Sequence, residues 1–138
     1  MKSINARLLM LITTANTLQV ITGDIVNAFL YAKSDLKTDV ALGKEFNVFD
    51  NKIQEHTIAA VEKALYGLPT SANRWHAHLS DNLRSMGFKP MRFDPDAWLR
   101  LRDDKPGYDY IGTHTDDLMI VANDASHHMR VPSGTSTL

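Results

Sequence analysis

The sequence predicts an α+β fold, because helices are mixed with strands that are not neighbours along the chain and with one hairpin. Apolar residues at helical spacing mark two helices, and β-branched segments between turn signals mark the strands. Hydrophobic residues make up 43% of the 138 residues, so the chain can fill the core of one domain.

The first elements are a helix and a strand. Apolar spacing predicts a helix from Ile4 to Ala15, in which Leu8, Leu11, Ile12 and Ala15 share one face. A strand is predicted from Leu18 to Ile25, where β-branched residues lack a helical period. Weaker strand character follows at 39–42 and at 57–65.

The second half begins at the turn signal Gly67–Pro69. Ser71 is a suitable cap for a helix that ends at Gly87, and its residues Trp75, Leu79, Leu83 and Met86 form one buried stripe. Two strands joined by turn residues, 97–101 and 108–113, predict a hairpin. A buried strand follows at 118–122, and we expect residues 125–138 to be a disordered tail.

Charge and composition exclude some classes of protein. The net charge of −1 is not the strong basic excess of most nucleic-acid-binding domains, although the middle of the chain is locally basic. This basic stretch is either a solvated face or a binding surface. The sequence contains no cysteine, so disulfides and thiolate zinc sites are excluded. The longest apolar run, Leu8–Ile12, is too short to cross a membrane, and no secretory signal is predicted.

Two acidic positions suggest a metal site. Asp24 ends an apolar strand, and Asp116 and Asp117 lie where one strand turns into the next. Carboxylates beside apolar residues are costly unless they are paired or bound to a metal, and oxygen ligands suit Mg²⁺. We therefore expect Asp24 and Asp116 to lie together at the ends of adjacent strands, although turn acids are common in proteins without such a site.

Five segments, in order, resemble those of copia-type retrotransposon reverse transcriptases. They are GDIVNAFLYA (Gly23–Ala32), KALYGL (Lys63–Leu68), RWHAHLSDNLRSMGF (Arg74–Phe88), FDPDAWL (Phe93–Leu99) and HTDDLMIVAND (His114–Asp124). The resemblance implies an RNA-directed DNA polymerase, a nucleotidyltransferase of a transposable element, with a palm-like antiparallel sheet packed on helices. It also implies two Mg²⁺ ions, an RNA or DNA template-primer and deoxynucleoside triphosphates as partners.

Matching positions carry the family's residue roles over to this chain. Asp24 and Asp116 become metal-binding catalytic carboxylates, and Asp117 completes the Asp-Asp pair. Phe29 falls where the family places the aromatic ring that excludes a ribose 2′-hydroxyl, although it is equally well explained as a core residue. Three further residues become nucleotide-binding candidates: Thr70, Ser71 and Arg74.

The chain also departs from the family. His114 and Thr115 replace the usual Tyr-Val, and the loop Pro69–Asn73 lacks the usual glutamine. The resemblance implies a partial reverse transcriptase domain over residues 1–124, with part of the fingers and without a thumb. We therefore expect little polymerase activity from the chain by itself. We expect it to act inside the cell, in a cytoplasmic particle or the nucleus, and not to bind a membrane.

Two alternatives remain open at this stage. One is a catalytically inactive remnant of such an element. The other is a metal-dependent hydrolase that uses His114 and Asp116 together with His56 or His76, because His-x-Asp is a plausible ligand pair. Surface histidines would explain the same residues without any site.

Overall fold

Most of the regular structure belongs to one antiparallel sheet and two long helices. The computed structural model describes residues 3–48 and 55–125, which form two units: 3–26 with 80–125, and 27–79. The helices are α1 (Ser3–Asn16) and α2 (Ser71–Ser85), with 3₁₀ helices at Ala28–Tyr31 and Lys44–Val48. The strands are β1 (Gln19–Asp24), β2 (Asp39–Ala41), β3 (Ile58–Ala60), β4 (Lys89–Met91), β5 (Asp94–Leu101), β6 (Tyr108–His114) and β7 (Asp117–Ala122). The predicted α+β class is confirmed. The predicted tail, 125–138, lies outside the described residues except for Ala125, which is buried.

The first unit contains a five-stranded sheet in the order β1-β7-β6-β5-β4, and all its pairings are antiparallel. Strands β4 to β7 pair with their neighbours along the chain. Strand β1 comes from far earlier in the sequence and pairs with β7. The predicted hairpin and both strands beside the acidic residues are confirmed. Strand β4 was not predicted, because its three residues include Pro90 and carry no alternating pattern.

Helix α1 packs on one face of this sheet, but only partly through the face that the sequence suggested. Its Leu9 is 2% exposed and packs with Met119 and Val121 of β7. Leu8 and Leu11 are 42% and 68% exposed. Ile12, which belongs to the predicted face, packs against the same cluster. The apolar spacing thus identified the helix correctly and its buried face only in part, because α1 is apolar on more than one side.

The opposite face of the sheet is also buried. Its central row pairs Trp98, Ile111 and Ile120 across β5, β6 and β7, and all three are almost fully buried. The guanidinium of Arg84 lies over the Trp98 ring, 5.5 Å from its centroid. Both faces of the sheet therefore contribute to the core in its central strands, whereas the edge strands β1 and β4 are mostly exposed.

Helix α2 begins and ends by different means. The Ser71 hydroxyl does not cap the helix as predicted: Ser71 is its first residue, and the hydroxyl donates to the Leu65 carbonyl at 2.6 Å. At the other end Gly87 has φ +84°, and Phe88 N–H donates to the Leu83 carbonyl at 3.0 Å. This is the glycine-terminated end that the sequence predicted.

The stripe predicted on α2 is mostly confirmed. Trp75, Leu79 and Leu83 are between 4% and 8% exposed, whereas Met86 near the end of the helix is only half-buried.

A cluster of ion pairs lies at the end of the sheet that is farther from Asp24. Asp109 is 5% exposed and lies between two arginines. Its Oδ2 is 3.0 Å from Arg100 Nη2, and its Oδ1 is 3.5 Å from Arg102 Nε. Because a buried carboxylate is costly without such partners, the cluster serves the fold at this end of the sheet.

The second unit has less regular structure. Strands β2 and β3 form a two-stranded antiparallel sheet, and Lys33 pairs with Lys63 in an isolated bridge. The predicted strand at 57–65 is thus confirmed only over Ile58–Ala60. In the described parts of both units, no helix is long and apolar enough to span a membrane.

Candidate active site

Strand pairing brings together the two acidic positions that are far apart in the sequence. Asp24, the last residue of β1, lies directly opposite Asp117, the first residue of β7. The Ile25 N–H donates to the Asp116 carbonyl oxygen at 2.9 Å, which extends the pairing beyond the strand end. Asp24 thus lies at a strand end beside the Asp116–Asp117 pair as predicted, whereas Asp116 itself lies in the turn before β7 and not at a strand end.

The lateral neighbour of Asp24 is nevertheless Asp117 and not Asp116. Asp117 also pairs with His114 across the β6–β7 hairpin. Residues that lie directly opposite each other on antiparallel strands point to the same face, with Cβ atoms about 4.5–5.5 Å apart. Asp24, Asp117 and His114 therefore form one row across three strands, called here the lateral row.

Asp116 occupies a different position, in the two-residue turn between β6 and β7. The other turn residue, Thr115, has φ 55°, a left-handed conformation that is unusual for a β-branched residue. Asp116 is half-buried, whereas Asp24, Asp117 and His114 are exposed. Asp116 thus lies at the hairpin tip, beside the lateral row and not within it.

The lateral row borders an open depression of about 470 Å³. The next row down the same face pairs Thr22, Met119 and Gly112, and these residues also line the depression. Alternation along the strands puts this face on the side that α1 covers farther along, through Met119 and Val121. The depression is thus the uncovered end of a face that is otherwise packed.

The carboxylates suit a hard divalent cation. The lateral row places two oxygen donors on neighbouring strands, with the Asp116 carboxylate next to them in the chain, and Mg²⁺ takes such ligands. As the side chains stand, no three His, Asp or Glu residues in the described ranges surround a point where a metal ion would fit. The chemistry of the donor set suits such an ion, whereas binding requires the side chains to rotate from their present positions.

Phe29 lies in the second unit, in the 3₁₀ helix Ala28–Tyr31, and is 9% exposed. Tyr66 packs on it, with ring centroids 4.4 Å apart, and is itself 62% exposed. Of these two rings, the solvent-facing one is therefore Tyr66. Tyr66 belongs to the quoted KALYGL segment, which is the signal in the sequence that marks it.

The other nucleotide-binding candidates all make contacts within the second unit. The Thr70 hydroxyl donates to Asp35 Oδ1 at 2.7 Å, and Arg74 Nε donates to the Lys33 carbonyl at 3.3 Å. Ser71 is 2% exposed and its hydroxyl is engaged by the backbone. Thr70 and Arg74 thus remain candidates near the surface, while Ser71 has a structural contact that sequence reasoning had not foreseen.

Asp35 is another residue that sequence reasoning missed. Its hydrogen bond from Thr70 holds the pKa of the Asp35 carboxyl below its usual value, with help from the nearby Arg74 guanidinium. A lowered pKa means that the charged form of Asp35 is favoured in the folded chain. No motif in the sequence marks this pair, since 35 residues separate Asp35 from Thr70.

The histidines considered for a hydrolase lie in different parts of the structure. His114 belongs to the lateral row of the first unit, whereas His56 and His76 belong to the second unit. His114 lies across from Asp117, so the His-x-Asp pair with Asp116 is not the closest pairing that the hairpin provides.

Comparison with known proteins identifies the family. A sequence model described as reverse transcriptase (RNA-dependent DNA polymerase) matches residues 2–131, which is most of the chain. No curated protein and no solved structure matches the chain. The resemblance seen in the five segments is thereby confirmed, and the matched range includes the lateral row, the β6–β7 hairpin and the second unit. The chain therefore belongs to the reverse transcriptase (RNA-dependent DNA polymerase) family.

Proposed function

We propose that this chain supplies the catalytic carboxylates of a copia-type RNA-directed DNA polymerase, at a palm-like sheet. The single observation that supports the proposal most is the pairing of Asp24 with Asp117 beside Asp116, which gathers carboxylates from two distant segments at one open depression. The five segments quoted above, of which two contain these residues, favour the copia-type branch.

The proposal gives each acidic residue a place. Asp24 and Asp117, on neighbouring strands, and Asp116, at the hairpin tip, would hold two Mg²⁺ ions. Paired divalent ions about 3.5–4 Å apart activate an attacking hydroxyl and stabilise a leaving phosphate oxygen. The strands contribute preorganisation, because backbone pairing fixes the positions of these residues before any ligand binds.

The two negative charges of Asp24 and Asp117, which lie directly opposite each other, allow the proposed metal site to be tested by stability measurements. Two carboxylates directly opposite each other destabilise a strand pair, by analogy with the roughly 0.2–1 kcal/mol that favourable opposed pairs contribute. In a chelator, we therefore expect Asp24→Asn and Asp117→Asn each to raise the free energy of unfolding by about this amount. Asp104→Asn, an exposed acid at the far end of the sheet, is the matched control and should change little.

In a chelator the two site variants should be more stable than the native chain, and added Mg²⁺ or Mn²⁺ should reverse this order of stability. The ions should stabilise the native chain and the Asp104→Asn control, and should stabilise the two site variants much less. Thermal unfolding with and without metal, together with calorimetric titration of Mn²⁺, measures both effects. Equal stabilisation of all four proteins would show that the ions bind elsewhere.

Catalysis itself requires a primer-extension assay on an RNA template. This chain replaces the corresponding segment between the fingers and thumb of an active reverse transcriptase. Three versions are compared: the native sequence, Asp24→Asn and Asp104→Asn. We expect extension by the native sequence and the control, and none by Asp24→Asn. Metal binding without extension in any of them would instead favour the inactive remnant.

A further inference from the structure

His114 is the position of the lateral row at which this chain departs from the Tyr-Val-Asp-Asp pattern that it resembles. It lies directly opposite Asp117, which lies directly opposite Asp24. All three side chains therefore point to one face, and all three line the same depression. The imidazole of His114 is thus a direct cross-strand neighbour of the Asp117 carboxylate.

The three side chains are free to move toward a shared ligand. They are exposed, and none of the three makes a side-chain hydrogen bond or ion pair with the described residues. Exposed side chains change rotamer within nanoseconds, so no packed group has to be displaced. Asp117, in the middle of the row, has one potential partner on each side.

The spacing of the row suits metal coordination. Cβ atoms of neighbours in the row are about 4.5–5.5 Å apart. Zinc ligands lie at about 2.0–2.2 Å from the ion, whether imidazole nitrogen or carboxylate oxygen. One ion can therefore bind Asp117 together with His114 without any change in the backbone.

The identity of the donor decides which ions gain from it. Carboxylate and water ligands suit Mg²⁺, Ca²⁺ and Mn²⁺, whereas imidazole suits Zn²⁺ and other later transition metals. Most sites bind Zn²⁺ more tightly than Mg²⁺. The contribution of one histidine must therefore be measured as a change in selectivity between variants, and not as the selectivity of the native chain.

We propose that His114 is a metal ligand that shifts the selectivity of the Asp24–Asp117 site from Mg²⁺ toward Zn²⁺ and Co²⁺. The inference rests on the proposed function, since it concerns the same metal site. It goes further by assigning to His114 a role that a tyrosine at this position does not provide. The nucleotidyl transfer proposed above would then depend on which divalent ion is supplied.

The test is a calorimetric titration of the full chain with Zn²⁺, Co²⁺ and Mg²⁺, each added alone. His114→Tyr restores the residue of the resembled pattern, and His114→Gln keeps a polar side chain without imidazole. We expect both variants to bind Zn²⁺ and Co²⁺ at least about tenfold more weakly, since even the indirect partners of metal ligands contribute about 10–100-fold. Mg²⁺ affinity should stay unchanged, and the visible spectrum of bound Co²⁺ should change with loss of the nitrogen ligand.

Two controls separate this site from other histidines. His56→Gln changes an exposed histidine in the second unit, and His127→Gln with His128→Gln changes the adjacent pair near the C-terminus of the sequence. Neither control should alter the Co²⁺ spectrum or the affinity of the lateral row. Loss of Zn²⁺ binding in a control, with none in His114→Tyr, would overturn the proposal.

The failure of this inference is distinguishable from failure of the proposed function. If Asp24→Asn weakens Mg²⁺ binding while His114→Tyr leaves Zn²⁺ and Co²⁺ binding unchanged, the carboxylate site stands and the role of His114 is refuted. If Asp24→Asn and Asp117→Asn change the binding of no ion, the metal site of the proposed function is refuted, and this inference with it.

Discussion

Thr115 holds a backbone conformation that its side chain disfavours. Its φ of 55° lies in the left-handed region, where a β-branched residue clashes with its own backbone. In two-residue hairpin turns such positions are usually taken by glycine or asparagine. The turn therefore stores strain between His114 and Asp116, at the tip of the candidate site, which is where strained residues often have a functional role.

Replacing Thr115 with glycine should relieve this strain. A left-handed conformation costs a residue with a Cβ about 1–2 kcal/mol. Glycine has no such cost, but its greater backbone freedom favours the unfolded chain by about 0.4–1 kcal/mol. We expect Thr115→Gly to raise the free energy of unfolding by about 0.5–1 kcal/mol. Chemical denaturation measures the change, with Thr38→Gly as a control that alters a threonine outside the turn. A loss of stability in Thr115→Gly would show that the side chain stabilises the turn by more than the strain costs.

At the scale of elements, the two helices use their apolar residues differently. Helix α2 buries a single stripe, which is why its spacing alone predicted Trp75, Leu79 and Leu83 correctly. Helix α1 carries apolar residues around most of its circumference, and only the face with Leu9 packs on the sheet. Amphipathic spacing thus identifies a buried face only when the remainder of the helix is polar.

Matched truncations of one leucine in each helix should differ strongly. Leu83 of α2 is 4% exposed, so Leu83→Ala leaves a cavity and should cost about 2–5 kcal/mol. Leu11 of α1 is 68% exposed, so Leu11→Ala should change the free energy of unfolding by less than about 0.5 kcal/mol. Equilibrium denaturation of both variants checks this contrast. Similar losses in the two would mean that the exposed face of α1 is covered in solution.

At the scale of the whole molecule, one ionisable group in each unit contributes to the pH dependence of stability, on opposite sides of neutral pH. In the second unit, hydrogen bonding by Thr70 lowers the pKa of Asp35 from its ordinary 3.8. In the first unit, burial raises the pKa of Tyr110 from its ordinary 10.0, and the neighbouring Tyr108 adds to this effect. The acid limit therefore includes a contribution from one unit and the alkaline limit a contribution from the other.

The signs of the two effects follow from linkage. A lowered pKa gives Asp35 a stabilising contribution that is present above pH 3.8 and is lost as the pH falls through the folded-state value. A raised pKa gives Tyr110 a contribution that is present below pH 10.0 and is lost as the pH rises through its folded-state value. We expect Asp35→Asn to flatten only the acid limb of a stability–pH curve, and Tyr110→Phe only the alkaline limb. A variant that flattened the opposite limb would contradict this assignment.

The local pattern of the sequence determined much of this protein. Helix spacing, turn residues and β-branched runs each act within a few residues, so they identified α1, α2, β1, the β5–β6 hairpin and β7 without tertiary information. The ordered segments around Asp24 and Asp116 likewise identified the family, which the match over residues 2–131 confirms. These features depend on chemistry between near neighbours in the chain.

Only the tertiary structure decided how the distant parts meet. The register of β1 against β7 makes Asp117, and not Asp116, the lateral neighbour of Asp24, and the β6–β7 hairpin adds His114 to that row. A shift of one residue would turn every side chain of β1 to the other face of the sheet. The buried face of α1 was decided in the same way, by which of its apolar sides meets Met119 and Val121. Such choices depend on contacts between residues far apart in sequence, which no local pattern contains.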